Sequence, residues 1–170
     1  MPEQKAIPQF IDPKEITGRF IEPLPGKPRV SSGYPFRNDG KTPHSGVDYA
    51  VVTNTPVYSA ADGEVVRADR TDDKGYGNQV RVWHPSFNIT TVYAHLNRII
   101  TKVGQQVKIG QILGLSGGNP NDDIPGDGSS QGAHLHFELQ VGRSPHGGGR
   151  SVPPAVTADP LATIAKWKTA

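Results

Sequence analysis

Two histidines separated by one residue carry the strongest chemical signal in this sequence, because imidazole nitrogens bind metal ions and transfer protons near neutral pH. His134 and His136 begin the segment HLHFELQV. In an extended strand, residues i and i+2 point to the same face, about 6.6 Å apart at a rise of ~3.3 Å per residue. One histidine could therefore bind a metal ion while the other faces a substrate. The alternative is a polar strand face exposed to water.

A histidine and an aspartate four residues apart form a second candidate pair. His44 and Asp48 enclose the segment HSGVD, in which Ser45-Gly46 predicts a bend and residues 47–51 predict a strand. A histidine at the end of a loop and an aspartate on a strand could meet at one ion. Two histidines and one carboxylate form a zinc-ligand set that leaves a fourth position for water. A hydrogen bond within the loop would explain the same spacing.

The other histidines differ in their surroundings. His95 lies in a predicted strand over residues 89–96, on the face that it shares with Tyr93. There it could complete a catalytic set or could be a hydrogen-bonded residue of the sheet surface. His84 precedes a proline and His146 precedes three glycines. Both are therefore predicted to be turn residues without a catalytic role.

Short β-strands must position these side chains. Apolar residues alternate between Gly, Asn and Asp turns, and this pattern predicts strands over residues 63–68, 79–83, 89–96, 108–115 and 134–141. Asp159-Pro160 is typical of a helix start and predicts a short C-terminal helix. Six prolines near the N-terminus predict an extended arm over residues 1–28. We therefore expect an all-β domain over residues 29–170 with an N-terminal arm and a C-terminal helix.

Composition excludes several classes of function. The 170 residues include 20 glycines, 16 prolines and no cysteine, and the formal net charge is +2. Without cysteine there are no disulfides, thiolate zinc sites or cysteine nucleophiles. The small charge without a basic cluster argues against nucleic-acid binding, and no apolar run is long enough to span a membrane. The N-terminus lacks the apolar segment of a secretory signal peptide, so we expect another export route or a removed leader.

Two further patterns favour other chemistry only weakly. Residues 114–118 match the G-x-S-x-G motif of serine hydrolases, but that motif requires a helix after the serine, and a Gly/Asn/Pro loop follows Ser116 here. The loop over residues 117–131 contains three aspartates, whose spacing does not match an EF-hand calcium loop. Because this loop leads into the strand that bears His134, we expect it to lie close to any metal site and to influence specificity.

Taken together, these motifs resemble the M23 (LytM/lysostaphin-type) zinc metallopeptidases, which cut peptide bonds in bacterial peptidoglycan. The similarity covers about residues 28–142, and the segments HSGVD, GYGN, YAHL and GAHLHFE occur in the family's order. Each motif is weak alone, but their order is specific. The resemblance implies an open, mainly antiparallel β-sheet with a substrate groove across it.

The resemblance also implies a role for each candidate side chain. His44, Asp48 and His136 would bind one Zn²⁺ per chain. His95 and His134 would be catalytic histidines that share the roles of proton acceptor and donor, and which of them is the general base stays open.

The activity implied is hydrolysis of peptidoglycan peptide cross-links, and the motifs favour the D-alanyl–diaminopimelate bond over glycine bridges. The expected partners are stem or cross-bridge peptides, met outside the cytoplasmic membrane in the periplasm or cell wall. Delivery within a phage virion, or assembly in the cell envelope, is a further expectation. The alternative is a non-catalytic M23-like module that binds the wall or activates another hydrolase.

Overall fold

The computed structural model describes residues 12, 19–69, 75–124, 127–146 and 156–168. Within these ranges the strands are β1 (Arg29–Ser32), β2 (Val47–Ala50), β3 (Pro56–Tyr58), β4 (Gly63–Asp69), β5 (Gln79–His84), β6 (Ile89–Ala94), β7 (Leu96–Ile99), β8 (Gln106–Val107), β9 (Ile112–Ser116), β10 (Leu135–Val141) and β11 (Thr157–Ala158). The helix α1 spans Pro160–Lys168. The predicted all-β fold with a short C-terminal helix is confirmed.

Two antiparallel sheets organise the described residues. The larger, eight-stranded sheet has the order β1-β2-β10-β6-β5-β4-β8, and β11 also pairs with β10. The smaller sheet has the order β3-β9-β7. Strand β10 lies between β2 and β6, with His136 opposite Asp48 on one side and opposite Ala94 on the other. This register brings together segments that are far apart in the sequence.

The two faces of β10 have different partners. Leu135, Phe137 and Leu139 are fully buried in the main hydrophobic core, as their alternation predicts. The other face is polar, yet Glu138 is also fully buried. The alternative of a polar face exposed to water is therefore wrong for β10. It fails because Tyr76 covers this face and hydrogen-bonds Glu138 across it.

The described part of the predicted N-terminal arm packs against the domain. Phe20 and Leu24 belong to the main core and are almost fully buried. The Ile21 N–H donates to the Ala60 carbonyl at 2.9 Å, which helps to hold this segment against the β-domain. Residues 1–11 and 13–18 of the predicted arm lie outside the described residues.

The C-terminal helix begins as its sequence predicts. Asp159 accepts hydrogen bonds from the N–H groups of Leu161 and Ala162, at 3.0 and 3.1 Å. These bonds satisfy two donors of the first turn, which is the role of an N-cap aspartate. No helix in the described part of the chain is long and apolar enough to cross a membrane.

One predicted strand is confirmed only in its second half. The sequence predicts a strand over residues 108–115, but residues 108–111 connect β8, which ends at Val107 and pairs with β4, to β9, which begins at Ile112 and pairs with β3 and β7. Gly110 adopts a φ of 80° between them. This left-handed conformation suits glycine and ends the extended backbone.

Candidate metal and catalytic site

Two histidines and one aspartate converge between β2 and β10. Asp48 Oδ1 lies 2.8 Å from His136 Nδ1 and 3.3 Å from His44 Nε2, and the two nitrogens are 3.3 Å apart. The three side chains are buried, and their ligand atoms all lie within 4.8 Å of one another. This donor set fits Zn²⁺, which binds imidazole nitrogen and carboxylate oxygen in a tetrahedral site.

Backbone contacts orient the first of these histidines. His44 Nδ1 donates to the Gly33 carbonyl at 2.6 Å, so Nε2 is the nitrogen left to face Asp48. Gly46, between the two residues, allows β2 to lie directly against β10. A Cβ atom at this position would stand 2.2 Å from the Phe137 carbonyl oxygen. Only glycine fits there, so close packing against β10 requires Gly46, while the proposed metal site requires His44 and Asp48 on either side of it.

A buried carboxylate supports His136 from the side opposite Asp48. His136 Nε2 lies 2.7 Å from Glu138 Oε1, and the same oxygen accepts a hydrogen bond from the Tyr76 hydroxyl at 2.7 Å. Gln140 donates to the other oxygen at 2.7 Å. The His136 Nε2–H is therefore bound to Glu138, which leaves Nδ1 for a metal ion. Such a carboxylate fixes the tautomer and orientation of a metal-binding histidine.

The charges of this cluster follow from burial and hydrogen bonding. Burial would raise the pKa of Glu138, but hydrogen bonds, first from His136, lower it to about 2. Burial would likewise raise the pKa of Asp48, and its bonds to His136 and His44 hold it far below its usual range. Burial would lower the pKa of His136, but the two carboxylates raise it to about 9. Metal binding at His136 would therefore release a proton.

Two further histidines face each other next to these residues. The ring centroids of His95 and His134 are 4.7 Å apart, and those of His95 and His136 are 6.0 Å apart. His95 Nδ1 donates to the Asp127 carbonyl and His134 Nδ1 to the Gly132 carbonyl, each at 2.7 Å. In both rings Nε2 is then the nitrogen that carries no proton in the neutral tautomer, and that of His134 lies 3.6 Å from Asp48 Oδ1. Burial, followed by the neighbouring histidines, lowers the pKa of His95 to about 3.

An unusual backbone conformation turns His95 towards this cluster. Regular alternation would place His95 on the same face as Tyr93, which pairs with Phe137 and lies in the core. That prediction is wrong, because His95 has a φ of 59° and interrupts the predicted strand between β6 and β7. The His95 N–H donates to the Tyr76 carbonyl at 3.0 Å, which helps to hold the left-handed conformation. Non-glycine residues rarely adopt it without such support.

A pocket of about 620 Å³ opens over the histidines. One wall is the C-terminal end of the predicted specificity loop, Ser129 to Gln131, together with Gly132 and Ala133, which follow it. The expectation that this loop lies close to the candidate metal site is therefore confirmed. Arg29 and Arg37 line another part of the pocket, and Arg37 Nη1 lies 3.4 Å from Asp48 Oδ2.

Sequence reasoning missed Arg37 and the supporting role of Glu138. For Glu138 a signal was present, since it lies two residues after His136 on the same strand face. For Arg37 the sequence offered no signal, because its place depends on how the turn before His44 folds back over β2.

The remaining sequence candidates lie apart from this cluster. His84 is the last residue of β5 and is fully buried, so its prediction as a turn residue is wrong. His146 is exposed, 3.4 Å from Arg67 Nη1. The Ser116 hydroxyl donates to the Val52 carbonyl and accepts from the Thr55 N–H, both at 3.1 Å. Ser116 ends a strand of the small sheet, a setting unlike that of a hydrolase nucleophile.

Comparison with known proteins matches most of this architecture to one family. The model described as "Peptidase family M23" matches residues 42–151. Peptidoglycan DD-endopeptidase ShyA of Vibrio cholerae is 36% identical over 151 residues, covering 85% of this chain and 32% of the relative. The chain thus spans about a third of the length of this curated relative.

Two solved structures are similar as well. The antimicrobial peptidase lysostaphin from Staphylococcus simulans superposes with a TM-score of 0.64 at 29% identity, covering 82% of this chain and 50% of that one. A zinc-containing peptidase from Vibrio cholerae has a TM-score of 0.58 at 31% identity, covering 82% of this chain and 39% of that one.

Proposed function

Because this chain belongs to peptidase family M23, we propose that it is a zinc-dependent endopeptidase that hydrolyses peptide cross-links of bacterial peptidoglycan. The observation that carries the proposal is the convergence of His44, Asp48 and His136 beside a second pair of histidines, His95 and His134. The first three residues would hold one zinc ion per chain. The second pair lies close enough to serve the reacting groups without belonging to the ligand set.

Each residue has a definite task in this mechanism. Zinc held at the site would lower the pKa of a bound water towards ~7 and polarise the carbonyl of the scissile amide. His95 and His134, each fixed through Nδ1, offer Nε2 to accept a proton from the attacking water and to return one to the leaving amine. Asp48 contributes one negative charge and two neutral imidazoles complete the set, so the metal with its three ligands would keep one positive charge next to the developing oxyanion.

We further propose the D-alanyl–diaminopimelate cross-link as the bond that is cleaved. The name of the Vibrio cholerae relative, a DD-endopeptidase, supports this choice. The chain would then act outside the cytoplasmic membrane, on stem and cross-bridge peptides in the periplasm or cell wall. Delivery in a virion, or assembly with other envelope proteins, belongs to the same proposal. Residues 29–170 would form the catalytic domain, and the packed residues 19–28 would complete its core.

Metal analysis and digestion of purified sacculi test the proposal together. We expect one equivalent of zinc per chain, release of uncross-linked muropeptides, loss of this activity with a chelator and recovery with added Zn²⁺. Mass spectrometry of the products identifies the bond. Products cut only within glycine bridges would contradict the proposed bond. Zinc-loaded protein that binds sacculi and releases nothing would favour the non-catalytic alternative.

A further inference from the structure

Arg37 lies next to the proposed metal ligands without belonging to them. Its Nη1 is 3.4 Å from Asp48 Oδ2, whereas Asp48 Oδ1 is the oxygen nearest to His136 and His44. One carboxylate therefore faces histidines with one oxygen and a guanidinium with the other. A substrate amide that reacts at the histidine side would carry its neighbouring substituents within a few ångströms of Arg37.

The guanidinium retains hydrogen-bonding capacity for a ligand. Arginine has five N–H donors in a fixed fork. Among the described residues, the Arg37 side chain makes one hydrogen bond, to Asp48 at the long end of the hydrogen-bond range, and it also interacts electrostatically with the exposed carboxylate of Asp39. The side chain is 49% exposed and lines the pocket together with His95 and His134. Its remaining donors are therefore available to a group bound in the pocket.

The turn that carries Arg37 is tied to the sheet. The Arg37 N–H donates to the Thr42 carbonyl at 2.8 Å, and Asn38 Nδ2 donates to the Ser31 carbonyl at 2.6 Å. The turn leads directly into His44. The backbone of Arg37 is thus held at a set distance from the reacting groups, which is what a specificity residue requires.

The charge of the pocket favours an anion. Arg29 and Arg37 are its cationic lining residues, and among the described lining residues Asp48 is the one acid. The lining is therefore net positive even before a divalent cation is counted. A cleft whose lining carries a net charge attracts a ligand of the opposite sign.

We propose that Arg37 binds a carboxylate on the carbon next to the scissile amide nitrogen, and so selects substrates whose leaving amine is an amino acid with a free carboxylate. This inference rests on the proposed function. In a D-alanyl–diaminopimelate cross-link, the carbon that bears the acylated nitrogen also bears a carboxylate. In a glycine bridge, the corresponding carboxyl group is an uncharged amide. A guanidinium fork matches a carboxylate through two parallel hydrogen bonds and distinguishes these two cases.

The test uses two cross-linked muropeptide dimers that differ only in whether this carboxylate is free or amidated. Zinc-loaded wild type should cleave the free form with a kcat/KM about 10- to 100-fold higher, the range for a charge-assisted hydrogen bond. Arg37→Gln should lose that preference, because the free form loses kcat/KM by more than the amidated form does, mainly through KM, and should keep its full zinc content. Lys41→Gln is the matched control, because it removes one exposed cation from the same turn and should keep the preference.

Two results would overturn the inference. The first is equal cleavage of both dimers by wild type. The second is an equal loss on both dimers in Arg37→Gln, which would mean that Arg37 only positions Asp48.

Equilibrium binding of the same dimers separates this inference from the proposed function. If wild type cleaves neither dimer but binds the free form about tenfold more tightly than the amidated form, and Arg37→Gln abolishes that difference, the carboxylate site stands and the proposed hydrolysis fails. If neither a cleavage nor a binding preference depends on Arg37, the carboxylate site is refuted.

Discussion

Replacing His84 with glutamine should flatten the pH dependence of stability between pH 7 and pH 5. His84 is fully buried at the end of β5, its Nδ1 donates to the Asp62 carbonyl at 2.7 Å, and its ring meets Phe20 edge-on at 5.4 Å. Burial lowers its pKa from 6.5 to about 4, against the opposing effect of the Asp62 carbonyl. The folded protein therefore holds this ring neutral in a range where the unfolded chain protonates it.

The sign and size of the effect follow from that difference in pKa. The unfolded state binds the proton as the pH falls through about 6.5, whereas the folded state does not bind it until about pH 4. The contribution of His84 to stability is therefore complete above pH 6.5 and decreases as the pH falls towards 4. With ~1.4 kcal/mol per pKa unit, the full loss is about 3 kcal/mol, of which about 2 kcal/mol falls between pH 7 and pH 5.

Urea unfolding at pH 7, 6 and 5 measures this effect in wild type, His84→Gln and the control His146→Gln, whose histidine is exposed. All samples contain chelator, so that metal binding does not add its own pH dependence. His84→Gln will be less stable at pH 7 because it loses ring packing, but it should lose about 2 kcal/mol less than wild type by pH 5. Parallel pH profiles of wild type and His84→Gln would refute the reasoning.

Three other predictions concern the site and its support. His136→Ala should lose zinc, whereas His95→Ala should keep one equivalent of zinc and lose roughly 10²–10⁴-fold in turnover. Elemental analysis measures the zinc content and muropeptide digestion measures the turnover; full zinc in His136→Ala would contradict the ligand assignment. Glu138→Gln should weaken zinc affinity by about 10- to 100-fold in a competitive chelator titration, because a neutral amide replaces the carboxylate that accepts the hydrogen bond from His136 Nε2–H. Unchanged zinc affinity would show that Glu138 does not support the metal site. Gly46→Ala should destabilise the fold by about 3 kcal/mol or more in thermal unfolding. The control Gly132→Ala should not destabilise it, because a Cβ at position 132 meets no atom within 4 Å. Equal melting temperatures of the two variants would show that β2 can move away from β10.

The sequence predicts the parts of the site that depend on short spacings. The alternation in β10 places Leu135 in the core and His136 on the opposite face, and both are observed. HSGVD places His44 and Asp48 near each other, because a bend followed by a strand leaves little freedom. Their meeting with His136 depends on the register between β2 and β10, which no local pattern contains.

The misplaced residues are those fixed by distant contacts. Alternation assumes an unbroken strand, so it could not place His95, whose left-handed conformation is held by the carbonyl of Tyr76 from another segment. His84 precedes a proline and therefore resembles a turn residue, but Phe20 from the N-terminal segment packs against it in the core. In both cases the deciding partner lies more than 15 residues away in the sequence.

The two proposed catalytic histidines are oriented by carbonyl oxygens of one loop, from Asp127 and Gly132. The side chains between these anchors, Ser129 to Gln131, line the pocket. The Ser130 side chain belongs to these anchors as well, because its Oγ donates to the Gly132 carbonyl at 2.8 Å and lies 3.2 Å from His134 Nδ1. Substitutions at the exposed Gln131 can therefore change what the pocket accepts while the two rings keep their places, whereas replacement of Ser130, or an insertion or deletion between the anchors, displaces at least one ring. Natural variation and laboratory libraries should therefore keep the length of this segment and Ser130, and diversify position 131.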